Sequence, residues 1–207
     1  METINTYYDN IYCVNLNKRH DKWELCLAEF DKHNITNVER LSAVDGKLTE
    51  IVASNKDLWP GEVGCILSHL KILKDIVKNG YERTLVLEDD IEFKEDANTL
   101  FSEYIKQVPE DWDLLYLCGN HHNMNTPLTE NVHSVKQTYT TSSYSITLEM
   151  AKTLIPRLEK MDIQVDVMYS QLQPSHNCYV FRPHIAWQRA GYSDIQDGWH
   201  DYPFLKS

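Results

Sequence analysis

Thr84-Leu85-Val86-Leu87-Glu88-Asp89-Asp90 sets a β-branched and apolar run directly against three acids. The first four residues read as a buried strand. The acids cannot continue such a strand, so they mark its carboxyl end. In open α/β sheets that end is where ligands bind. Three consecutive carboxylates repel one another, and holding them together calls for a cation or hydrogen bonds. Mg²⁺ and Mn²⁺ suit that role, because they take oxygen ligands from carboxylates and substrate phosphates. Strand alternation carried through the triplet would put Glu88 and Asp90 on one side and Asp89 on the other. An ordinary acidic turn closing a strand is the competing reading, and the local sequence does not separate the two.

Outward from this strand, elements of two periods alternate. Residues 11–16 form an apolar run read as a strand. A helix over 21–32 carries Trp23, Leu27 and Phe30 on one face. A second strand spans 37–44, followed by the turn Asp45-Gly46 and a short helix over 48–55. The best-defined helix has one stripe of Val63, Ile66, Leu67, Leu70, Leu73 and Val77, stopped by Asn79-Gly80. After the central strand come a helix over 97–108, a strand over 113–118 and a polar loop over 120–130. Strand signals follow at 132–135 and 138–145, then a helix over 148–160 that Pro156 ends or kinks, then a strand over 177–181. The aromatic tail from Gly191 has no clear period. Alternating strands and helices predict an α/β fold with a largely parallel sheet. With no repeat and no linker, 207 residues fit one domain.

Composition narrows the function. Lys+Arg 20 against Asp+Glu 31 gives a net charge of −11, which argues against a nucleic-acid partner bound by phosphate neutralisation. A hydrophobic content of 42% excludes a disordered chain. No run of about 18 apolar residues suggests a transmembrane helix. The first residues lack the basic and apolar regions of a signal peptide, so a cytoplasmic protein is expected. The five cysteines are scattered in apolar runs and read as free buried thiols.

Several segments, in order, resemble glycosyltransferase family 25, which includes lipooligosaccharide and collagen galactosyltransferases. Thr84 to Ile91 resembles the family's LxLEDD element. Val14-Asn15-Leu16 with Arg19 resembles its opening strand and basic follower. Arg40, Ala43, Asp45 and Gly46 are similar to its R-x-x-A-x-D-G segment. Gly61-Glu62-Val63-Gly64-Cys65-Ile66-Leu67-Ser68-His69 is similar to its GExGCxLSH helix start. Asp113 to Leu117 fits the next strand. Tyr144-Ser145-Ile146 resembles the following AYxIS strand, with Ser143 at the usual Ala. Val165-Asp166 resembles the PVD step, with Gln164 in place of Pro. Pro183 through Gln188 to Ser193-Asp194-Ile195 resembles the closing segment.

The resemblance implies a GT-A fold, a Rossmann-like mostly parallel sheet flanked by helices. Residues 9–119 would form the nucleotide-sugar half and 120–207 the acceptor half. It further implies a UDP-sugar donor, most often UDP-galactose, Mn²⁺ (or Mg²⁺), and inversion at the anomeric carbon. The acceptor would be a hydroxyl on a glycan or on hydroxylysine, with peripheral membrane association through the acceptor. Within that frame Glu88 and Asp90 are assigned to metal and diphosphate, with Asp194 as the third metal ligand ahead of His184 and His200. Asp89 is assigned to the donor's ribose or sugar. Asn15, Leu16 and Arg19 follow the first strand on the donor side, and Asp45 and Gly46 reach the uridine. Ser68 and His69 enter from the helix, and Gln188 and Ser193 from the closing segment. Asp166 is the expected base, in an apolar context that would raise its pKa; capping of the following helix is its alternative role. His121-His122 reads as an exposed, uninvolved pair. Trp187, Tyr192, Trp199, Tyr202 and Phe204 would either form a sugar platform or pack on the core. A degenerate relative that binds a nucleotide sugar or glycan without catalysis is the main rival. A phosphohydrolase would carry a nucleophilic Asp after the first strand, where this chain has Asn15-Leu16-Asn17.

Overall fold

Alternation within the central strands sends side chains into two separate cores. Ile11 and Cys13 face one, Tyr12 the other; Leu85 and Leu87 face one, Val86 the other; the same holds for Leu115 against Leu114 and Tyr116. A computed structural model describes residues 2–51, 53–122 and 126–206. In chain order the elements are α1 (Ile4–Tyr7), β1 (Asn10–Asn15), α2 (His20–Lys32), β2 (Val38–Ser42), α3 (Pro60–Asn79), β3 (Arg83–Glu88), β4 (Ile91–Phe93) and α4 (Ala97–Tyr104). Then come β5 (Leu114–Tyr116), β6 (Asn120–His121), β7 (Thr126–Pro127), β8 (Val132–Ser134), β9 (Thr138–Tyr139) and β10 (Ser143–Thr147). The chain closes with α5 (Leu148–Leu158), α6 (Val165–Leu172), β11 (Cys178–Phe181), β12 (Ala186–Gln188), β13 (Gly191–Ser193) and β14 (Gly198–His200).

The main sheet has eight strands in the order β2-β1-β3-β10-β5-β11-β8-β7. Six run in one direction, and β10 and β8 run against them. Helices α3, α5 and α6 cover one face through residues such as Ile66, Leu73, Leu154 and Met168. Helices α2 and α4 cover the other through Cys26, Phe30, Phe101 and Tyr104. This is the expected α/β sandwich, with β10 from the second half of the chain inserted between β3 and β5 of the first.

Helix α3 ends as its sequence predicts. Gly80 takes the left-handed conformation at φ 70°, and its N–H closes on the Ile76 carbonyl. The helix expected over 48–55 is absent: its described residues form turns and bends, and Val52 lies outside the described residues. Leu48 and Ile51 are exposed, so no apolar face pays the cost of helix nucleation there. Helix α5 runs through Pro156 and stops at Leu158. The polar loop over 120–130 contains the short strands β6 and β7, with residues 123–125 outside the described set. The tail gains a hairpin, β13 paired with β14. All five cysteines are free, and four are buried. Among the described residues, no helix is long and apolar enough to cross a membrane.

Candidate functional site

Sheet register gathers the site. Val14 lies opposite Glu88 and Asn15 opposite Ser42, so three parallel strands deliver their carboxyl ends together. Because β10 runs the other way, its amino end arrives at the same edge. The Glu88 N–H donates to the Ser142 carbonyl at 3.0 Å, and the Thr141 hydroxyl donates to Glu88 Oε1 at 2.6 Å. Strand β12 pairs with β4, placing Gln188 opposite Ile91. From there Gln188 Nε2 donates to Asp90 Oδ2 at 3.0 Å, and the Arg189 N–H to the Asp90 carbonyl at 2.6 Å.

The triplet does not split across the sheet as alternation predicts. Strand β3 ends at Glu88, and Asp89 and Asp90 belong to the turn that follows, so the two-residue period stops and all three acids line one cleft. Lys22, from the first turn of α2, reaches into them. Its ammonium lies 3.0 Å from Asp89 Oδ1 and 3.8 Å from Asp90 Oδ2. Burial alone would lower the Lys22 pKa, but the charges of Asp90 and Asp89 raise it instead. Burial also raises Asp89, against the pull of Lys22. Asp90 is pushed up to about 7 by burial and by the charge of Glu88, against Lys22 and Gln188. Glu88 goes the other way: burial pushes it up, but His69 and the Thr141 hydroxyl hold it below its ordinary value. Asp90 Oδ1 is buried without a hydrogen-bond partner. An orphaned carboxylate oxygen beside two further carboxylates fits a hard divalent cation, which would satisfy it and offset the repulsion.

These groups line one open cleft. Its walls are the residues after β1, the turn at 43–47, the start of α3, the triplet and residues 193–195. Two glycines of the helix start let the walls close. A Cβ on Gly64 would sit 2.5 Å from the Val44 carbonyl oxygen, and one on Gly61 would sit 2.6 Å from Ile195 Cα. Ser68 is spent on the same packing: its hydroxyl donates to the Gly64 carbonyl at 2.7 Å and accepts the Val44 N–H at 2.9 Å. His69 is buried, with Nδ1 2.8 Å from the Tyr144 hydroxyl and Nε2 3.7 Å from Glu88 Oε1.

A second cavity adjoins the first. Cys65, Glu88, Gln188, Ser193 and Ile195 line both. Asp166 lines only the second, with Glu62, Gln164, Thr140, Thr141 and Tyr202. Asp166 sits in the first turn of α6, half-buried. Its two oxygens accept N–H bonds from Thr140 at 3.2 Å and from Val167 at 2.8 Å, which fixes the carboxylate. Glu62 accepts from the Trp59 N–H at 2.8 Å and from Gln164 Nε2 at 3.0 Å, tying α3 to the start of α6.

Of the residues singled out from sequence, Leu16, Asp45, Gly46, Ser68, His69 and the triplet line the first cleft, as do Gln188, Ser193 and Asp194. Asn15 lies beneath its floor, donating to Asp89 Oδ2 at 2.7 Å and accepting from Arg40. Arg19 holds the closing segment, since its guanidinium is paired with Asp194 and Asp21. The Asp194 carboxylate is therefore already engaged by a cation. Lys22 and Lys18 were not singled out, although basic residues at 18, 19 and 22 directly after the first strand are the signal that finds them. His122 is exposed as read from the sequence, but His121 is half-buried. Its Nε2 lies 3.1 Å from His184 Nε2, and its Nδ1 lies 2.8 Å from the Thr138 hydroxyl. His184 Nδ1 donates to the Leu205 carbonyl at 2.8 Å, so this relay pins the C-terminal turn and stands apart from the triplet. Tyr192 and Trp199 form an exposed cross-strand pair, whereas Trp187 is half-buried and bonds Glu92.

Comparison with known proteins follows the same lines. Residues 8–169 match the family model described as glycosyltransferase family 25 (LPS biosynthesis protein). The chain is 27% identical over 172 residues to procollagen galactosyltransferase 2 of Mus musculus, covering 72% of this chain and 27% of that protein. It is 35% identical over 167 residues to the procollagen lysyl hydroxylase and glycosyltransferase of Acanthamoeba polyphaga mimivirus, covering 68% of this chain and 19% of that protein. It is 30% identical over 129 residues to the inactive glycosyltransferase 25 family member 3 of Homo sapiens, covering 53% and 22%. The matched region thus spans about a fifth to a quarter of the length of these relatives. Among solved structures, a glycosyltransferase involved in the glycosylation of the major capsid of PBCV-1 superposes with a TM-score of 0.53 at 11% identity, covering 91% of this chain and 95% of that one. That likeness concerns the fold.

Proposed function

The chain belongs to glycosyltransferase family 25 and has its GT-A fold, and on that premise we propose that it moves a hexose, galactose first, from a UDP-sugar to a hydroxyl acceptor with inversion. One observation carries the reading. Two cavities share a wall at Glu88, one holding a carboxylate triplet with Lys22 and the other holding Asp166. The first suits a nucleotide diphosphate and the second an acceptor, so a transferred sugar would lie at the shared wall. Glu88 and Asp90 would hold Mn²⁺ (or Mg²⁺), and Asp194 would join them on leaving its pair with Arg19. When bound, that ion supplies Lewis-acid neutralisation of charge developing on the leaving diphosphate. Lys22 adds a second positive charge at the same place. Asp166 takes the acceptor hydroxyl proton, with its carboxylate already oriented by two backbone N–H groups. The charged residues lining the second cavity are Glu62, Glu88 and Asp166, all acidic. That supports an acceptor bearing an amine, such as hydroxylysine, over a phosphorylated glycan.

A UDP-sugar panel read by thermal shift, with and without Mn²⁺, tests donor binding, and UDP release in the presence of acceptor tests turnover. UDP-galactose should give the largest metal-dependent shift. No shift with any donor would end the proposal. The relative named as inactive supports a second reading, a nucleotide-sugar-binding protein without turnover. Metal-dependent binding of UDP-galactose with no UDP release from any acceptor selects it.

A further inference from the structure

Cys65 and His69 stand one helical turn apart on α3, on the same face, and Glu88 meets them from the end of β3. One ligand atom from each, a sulfur, an imidazole nitrogen and a carboxylate oxygen, lies within 4.8 Å of the others. A tetrahedral Zn²⁺ with its usual bond lengths spaces such atoms about 3.3–3.6 Å apart, so small side-chain shifts close the set. His69 is held for the task. Its Nδ1 contacts the Tyr144 hydroxyl at 2.8 Å, and Tyr144 is itself 3.3 Å from the Tyr169 hydroxyl. A cation between Nε2 and Glu88 Oε1, which lie 3.7 Å apart, would take the place of the Nε2 proton that now faces the carboxylate, while Nδ1–H stays on the Tyr144 hydroxyl. The donor set differs in kind from the all-oxygen set of Glu88, Asp90 and Asp194. Sulfur and imidazole select Zn²⁺ or Co²⁺ over Mg²⁺ and Mn²⁺.

We propose that Cys65, His69 and Glu88 form a binding site for a borderline-soft divalent ion, Zn²⁺, at the wall between the two cavities. Binding replaces the protons on the Cys65 thiol and His69 Nε2, which leave to solvent, and takes up Glu88. The ion would occupy the junction of the two cavities, so it acts as an inhibitor; this consequence rests on the proposed transferase reading, whereas the site itself does not.

Metal-free protein titrated with Co²⁺ alone tests the site. One thiolate-bound ion should form per chain, marked by a thiolate-to-cobalt charge-transfer band in the near ultraviolet. Zn²⁺ should bleach that band, and Mn²⁺ should not. Cys65→Ser should lose the band and bind Co²⁺ about tenfold or more weakly. Cys65→Ala is the second variant, and circular dichroism checks that both remain folded. Absence of the band in the unmodified chain, or its persistence in folded Cys65→Ser, overturns the site. Where UDP release is measurable, Zn²⁺ at the concentration that bleaches the band should suppress it. Undiminished release at that concentration overturns the inhibitory role and leaves the spectroscopic result standing.

Discussion

Replacing Asp90 with Asn should stabilise the metal-free protein at alkaline pH. Burial and the charge of Glu88 raise the Asp90 carboxyl from 3.8 to about 7. A buried acid whose folded pKa is raised binds its proton more tightly in the fold than in the unfolded chain. Stability therefore falls as pH rises from about 4 to about 7, and the loss is complete above 7. About three pKa units at about 1.36 kcal/mol each set the cost of ionised Asp90 near 4 kcal/mol. Asn removes that cost and still accepts the bond from Gln188. It also places an amide N–H where Oδ1 now lacks a partner, which costs about 1–3 kcal/mol. The net gain at pH 8 is then about 1–3 kcal/mol, or about 2–4 °C of melting temperature for each kcal/mol in a chain of this size. Near pH 4 the wild-type carboxyl is protonated, and the variant should be equal or less stable. Denaturation of both proteins in chelator, at pH 4.5 and pH 8, measures this directly. A variant less stable at pH 8, or a gain that does not change with pH, would refute the reasoning. The same variant should lose stabilisation by Mn²⁺, a trade of function for stability.

Lys22→Met should cost about 3 kcal/mol in metal-free protein, since it leaves two buried carboxylates without their ammonium; urea titration with and without Mn²⁺ reads the loss and its partial recovery. Asp166→Asn should leave donor affinity in place while lowering turnover by about 10²–10⁴, measured as UDP release against the UDP-sugar thermal shift. Gly46→Ala would bring a Cβ to 1.6 Å from the Pro60 carbonyl oxygen. It should destabilise the fold by more than about 4 kcal/mol, seen as a collapse of the melting temperature.

Much of the first cleft is legible in order along the chain. The triplet, the turn at 45–46 and the helix start at 61–69 each carry a local pattern, and all line one cleft. Alternation predicts that the triplet splits across two faces, but alternation holds only while the strand lasts and β3 ends at Glu88. His121 departs from its sequence pattern for a different reason. A polar loop looks solvated from its own sequence, yet its partner His184 is 63 residues away. The helix over 48–55 failed because local pattern cannot say whether an apolar residue finds a surface to cover.

By itself, the sequence determined the period of each main element, the two-faced burial of the central strands and the acidic end of β3. These are local properties, set by which side of a strand or helix each residue occupies. Tertiary structure alone decided strand order and direction. The reversed entry of β10 brings Thr141 to Glu88 across 53 residues, and the closing segment brings Asp194 to Arg19 across 175. It also decided charge pairing, placing Lys22 among carboxylates more than 60 residues downstream. Side-chain periodicity does not encode a strand's neighbours, so the two cavities and their shared wall exist only once the sheet is assembled.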